Sequence, residues 1–79
     1  MPSRNLAGPR VREARRRLRP KLTQAALAAR MQVAGFHLDR AGISKIESGL
    51  REITDRELVG LAEALGVSAG WLVGERDST

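Results

Sequence analysis

Arg40 and Lys45 stand five positions apart within Leu38-Asp-Arg-Ala-Gly-Ile-Ser-Lys-Ile-Glu-Ser-Gly-Leu50, separated mostly by small residues. Guanidinium and ammonium groups donate N–H bonds to carboxylates, phosphates and the acceptor edges of bases. This stretch is therefore equipped to hold an anion or a polar groove. Groups that could turn over a substrate are scarce: there is one histidine, His37, no cysteine, no glycine-rich phosphate loop and no carboxylate cluster at metal spacing. A chain of 79 residues also leaves little room for an enclosed pocket. No enzyme, cofactor, metal site or small-molecule substrate is expected, and a lone histidine without partner ligands reads as a solvated loop residue. The lack of cysteine excludes disulfides and thiolate metal sites.

Charge is distributed unevenly. Residues 1–30 hold nine Lys or Arg against the single acid Glu13, whereas residues 31–79 hold five against eight. One end of the chain is suited to meet an anion, with nucleic acid ahead of an acidic membrane surface or an acidic protein. Twelve arginines on a solvated surface would give the same composition. No apolar run approaches the ~18 residues that a membrane span needs, and no signal-peptide core follows the basic start, so a soluble, cytoplasmic chain is expected.

The elements that must position Arg40 and Lys45 are all helical. A disordered arm is expected over 1–7. Gly8-Pro9 then opens a helix to about Arg19, with Val11, Ala14 and Leu18 at helical spacing and Pro20 as its stop. Thr23 caps a second, alanine-rich helix to about Val33, narrow enough for neighbours on two sides. Asp39 caps a third helix ending near Ser48, where Gly49 supplies a left-handed residue. Thr54-Asp-Arg-Glu57 is a capping box for a fourth helix, running to Gly66, and Ser68 caps a short fifth before a polar tail over 75–79. The expected fold is all-α, a compact five-helix domain over 8–74.

At 100° per residue, Asp39, Ile43, Ile46, Glu47 and Leu50 share one side of the third helix, and Ala41, Ser44, Lys45 and Ser48 share the other, with Arg40 at its edge. The isoleucines must face the core, so the second set faces solvent or a partner. Small side chains leave the backbone approachable, a shape suited to a groove, although a merely solvated face, with Gly42 marking close packing on the second helix, fits the same residues. Glu47 falls near the apolar side, where a carboxylate is costly unless paired. Arg17 or a neighbour on the arginine-rich first helix is the expected partner.

"LTQAALA", then "GISKIESG", a capped helix and "LAEALGVSAGWL" resemble the phage repressor/Cro-type helix-turn-helix domain of the Xre family, over about Arg10 to Gly74. The resemblance implies a recognition helix over about 39–48 lying in the major groove. It implies base reading by Arg40, Ala41, Ser44 and Lys45, and backbone contacts by Thr23, Gln24, Ser48 and Arg51. It also implies the structural ion pair Arg17–Glu47. One departure is large: "QVAGFH", residues 32–37, occupies a place where the family has a single glycine, so some five extra residues must bulge or lengthen the second helix, with Phe36 packed on the body of the domain.

The expected function is sequence-specific binding of double-stranded DNA at a palindromic operator by a homodimeric transcriptional regulator, a repressor. The rival is a protein-binding regulator on the same fold, an antitoxin-like or anti-repressor module. Trp71 and Leu72 either close the core or join Val73 in a symmetric dimer patch.

Overall fold

Four of the helices start where a short polar side chain accepts from an otherwise free amide. Thr23 accepts from the Ala26 N–H at 3.0 Å, Asp39 from Gly42 at 2.8 Å, Thr54 from Glu57 at 3.1 Å and Ser68 from Trp71 at 3.0 Å. These caps open α2 (Gln24–Val33), α3 (Arg40–Glu47), α4 (Asp55–Leu65) and α5 (Ala69–Leu72); α1 (Gly8–Arg17) opens instead with proline in its first turn. Glu57 returns its carboxylate to the Thr54 N–H at 3.0 Å, completing the capping box. Thr54→Ala should lower stability by about 1 kcal/mol, read as a shift in a denaturant midpoint without a change in slope.

The computed structural model describes residues 6–74. Most of the expected arm, 1–5, and the expected tail, 75–79, lie outside the described residues. Ala7, assigned to the arm, is buried, and its carbonyl accepts from Val11 N–H at 2.8 Å, so the folded domain already includes it. Among the described residues there is no strand.

The helices close around one core that draws on every element: Val11, Leu27, Met31, Ile43, Ile46, Leu61 and Leu72 are inaccessible to solvent. The alanine-rich α2 does pack on two sides, against α3 and α4. The first helix stops at Arg17, two residues earlier than expected, because Leu18 is already extended. Arg19 then donates to the carbonyls of Arg16 and Leu18, which the end of the helix leaves open.

The residues between α2 and α3, expected to bulge or lengthen α2, do not lengthen it. Gly35, at φ 96°, takes the left-handed place, with Gly35 N–H on the Gln32 carbonyl at 3.0 Å and Phe36 N–H on the Met31 carbonyl at 2.9 Å. This pair of bonds ends a helix firmly. The chain that follows is a loop, tied where Gln32 Nε2 donates to the Leu38 carbonyl at 2.9 Å, and Leu38 is buried. Phe36 packs on the body as expected, its ring lying over Gly60, where an added Cβ would come within 2.6 Å of it. His37 is exposed.

Candidate nucleic-acid interface

The third helix begins where Leu38 enters the core and Asp39 caps it, and it ends with Gly49 at φ 79° and Leu50 N–H on the Lys45 carbonyl at 2.9 Å. Ile43, Ile46 and Glu47 are buried, which fixes the helix's rotation about its axis. Arg40, Ala41, Ser44, Lys45 and Ser48 are all exposed. Around the helix, Ala41, Ser44 and Ser48 form a low strip with Arg40 on one edge and Lys45 on the other. Neither cation has an ion-pair partner among the described residues. Gly42 does not mark packing on α2: a Cβ there would lie 3.0 Å from Leu38 Cδ2 and 3.3 Å from Asp39 Oδ1, so its smallness serves the cap. Leu50, assigned to the core side, is 68% exposed because the helix has already ended.

Glu47 holds this helix to the rest of the domain. Its side chain is fully buried, and Arg15 grips both oxygens, Nε to Oε2 at 2.8 Å and Nη2 to Oε1 at 2.9 Å. Arg12 Nε and Gln24 Nε2 each add a bond to Oε1 at 3.2 Å. Burial alone pushes the Glu47 carboxyl up, but the bonds from Arg15, Gln24 and Arg12, with the charge of Arg15, outweigh it and hold the group below the usual carboxylate range.

The expected partner, Arg17, is not there. It pairs with exposed Glu13 at 2.6 Å and lies over the Trp71 ring, 5.5 Å from its centroid. The phase of α1 explains the correction: counting from buried Val11, Arg15 lies about 40° away and Arg17 about 120° away on the far side. After α1 the chain turns back on it, with Leu22 N–H on the Arg15 carbonyl at 3.1 Å. Arg15 and Arg12 are the neighbours on α1 that hold Glu47 instead. The nearness of Arg15 in phase to Val11 was the available signal, whereas Arg12, about 100° from Val11 and about 160° from Ala14, carried none.

The residues assigned to a nucleic-acid backbone are placed unequally. Thr23 is exposed at the start of α2, its oxygen accepting the capping bond and its O–H left to donate. Gln24, half-buried, spends one donor on Glu47 and so couples the start of α2 to α3. Ser48 is exposed and donates to the Lys45 carbonyl at 3.2 Å. Arg51 is committed within the protein, bonding both oxygens of Glu57 at 2.9 and 2.8 Å and the Glu52 carbonyl at 2.9 Å. Arg51 holds Glu57 below its ordinary range against the opposing effect of burial, and the N–H of Thr54 adds to this. The loop after α3 is braced by that pair.

With α3 capped by Asp39 and locked to the domain by Glu47, residues 11–72 match the family described as Helix-turn-helix. The chain belongs to the Cro/C1-type helix-turn-helix family. That family is one of DNA-binding regulators and is not typically enzymatic. No curated protein and no solved structure matches the chain. Among the described residues of this helix-turn-helix domain, no helix is long and apolar enough to cross a membrane. Six residues, Ala34 to Asp39, separate α2 from α3.

Proposed function

We propose that this domain reads a specific sequence of double-stranded DNA by laying α3 in the major groove, and that it represses transcription by occupying an operator. The observation that carries the reading is the outer face of α3: a strip of small side chains flanked by two exposed cations, on a helix whose other side is fixed by Ile43, Ile46 and buried Glu47. Eight residues span about 12 Å, comparable to the width of the major groove. Arg40 and Lys45 would reach base edges, with Ala41 and Ser44 between them. Thr23, Gln24 and Ser48 would meet the sugar-phosphate chain. Arg51, held by Glu57 and the Glu52 carbonyl, would brace the loop beside them. Occupancy alone excludes other proteins from a promoter, which makes repression the simplest output.

Recognition by a two-fold pair on a palindrome follows from the way such domains dock, with half-site centres about 34–36 Å apart or a multiple of that. Selection from a random duplex pool, followed by titration of the selected site, tests this. A palindromic product bound by two copies, with affinity falling steeply as salt rises, is the expected result. A strictly 1:1 complex on a full site would remove the two-fold pair. Sequence-blind, salt-insensitive behaviour would favour the protein-binding regulator instead.

A further inference from the structure

The outer face of α4 is unused by the core and by the DNA reading. Val59, at its centre, is 52% exposed. Beside it a hollow of about 390 Å³ is lined by Ala34, Phe36, Val59 and Gly60, with Asp55, Arg56 and Glu63 at its rim. The extra loop residues build one wall of this hollow, since Phe36 lies on Gly60. Asp55, Arg56 and Glu63 make no ion pair among the described residues. Arg30 donates to the Ala64 carbonyl at 2.8 Å, which sets its guanidinium at the far end of the same helix.

We infer that this face is an interface with a second copy of the chain, in which two α4 helices meet antiparallel about a two-fold axis beside Val59 and Gly60. Such an axis sets position 56 against 63 and position 55 against 64. Arg56 then faces Glu63 of the second copy. Asp55 faces the residue-64 end, where Arg30 of the second copy sits. Each pair occurs twice, as an isologous interface requires. Val59 of each copy enters the hollow of the other beside Phe36. The two Arg56 side chains stand about 10 Å apart along the axis, near the screening length at 0.1 M salt, and the helix dipoles oppose. A surface complementary to itself under one rotation selects a second copy over an unrelated protein. The inference goes beyond the DNA reading and does not depend on it.

Sedimentation equilibrium of the full chain without DNA is the test. A reversible dimer with a Kd between about 10 μM and 1 mM is expected, as suits a small interface, weakening as salt rises. Arg56→Glu should raise the Kd at least about tenfold by setting like charges opposite each other, and Arg56→Glu combined with Glu63→Arg should restore it to within about threefold. Both changes favour the α4 dipole, an acid near its start and a base near its end, so loss of the dimer cannot be attributed to loss of the helix. A chain monomeric at 1 mM, a dimer indifferent to Arg56→Glu, or a double variant no better than the single one would overturn the inference.

Discussion

Arg15→Ala should lower the melting temperature by at least about 12 °C, the largest stability loss of any single arginine replacement in the domain. Glu47 is fully buried on its side chain and Arg15 only 12% exposed, so the pair lies largely out of water. Removing one partner of such a pair typically costs about 3–5 kcal/mol, because the other charge stays buried and uncompensated. A 79-residue domain has roughly 4–12 kcal/mol in all. Arg12 and Gln24 remain on Oε1, which puts the loss toward the lower end. Arg12→Ala should cost far less, since that side chain is 45% exposed and supplies one bond. Arg17→Ala should change the melt by no more than a surface pair does, under about 1 kcal/mol. A melt in which Arg17→Ala matches Arg15→Ala would contradict this ordering.

The same pair sets a pH dependence. The folded Glu47 carboxyl is held below its unfolded value, so the unfolded chain binds the proton first as pH falls. The stabilisation is complete above about pH 4.3, the ordinary glutamate value, and is lost as pH drops through the lower folded value. Glu57, lowered by Arg51, acts in the same direction and the same window. Glu47→Gln should therefore flatten the acid limb of a stability profile while lowering its plateau.

How much of this was legible in the chain follows from the range of each interaction. Helix starts at Thr23, Asp39, Thr54 and Ser68 are set by bonds that close within three residues, so local sequence suffices. The identity of Glu47's partner depends on how α1 is rotated against α3, a contact between residues more than thirty positions apart that local sequence does not encode. Leu50 followed the helical period on paper, but the period lapses once Gly49 turns the chain. Gly60 carried no signal at all: its lack of a side chain matters only because a phenylalanine twenty-four positions away lies on it. The outer face of α3 was legible because two isoleucines three apart determine it by exclusion.

That outer face carries the other large effect. Arg40→Ala and Lys45→Ala should each cost about 1–3 kcal/mol on the preferred duplex and relax the preference at one base position, with at least one G·C pair in each half-site, since Arg or Lys on guanine O6 and N7 is the commonest specific contact. Both side chains are exposed, so a loss of binding at an unchanged melting temperature isolates recognition from folding. Gln24→Ala should behave differently. A backbone contact positions the protein without carrying sequence information, so binding to specific and scrambled duplexes should weaken by a similar factor. Its removal also takes a bond from Glu47, so a modest drop in melting temperature should accompany it. Gln24 is uncharged and its loss should leave the slope of affinity against salt nearly unchanged, whereas Lys45→Ala and Arg40→Ala each remove a cation from the bound face. Measurements on both duplexes at several salt concentrations separate these outcomes. If Arg40→Ala and Lys45→Ala weaken the two duplexes equally, neither side chain reads bases, and the loop ending at Leu38 has carried α3 to a docking pose in which its cations meet phosphates alone.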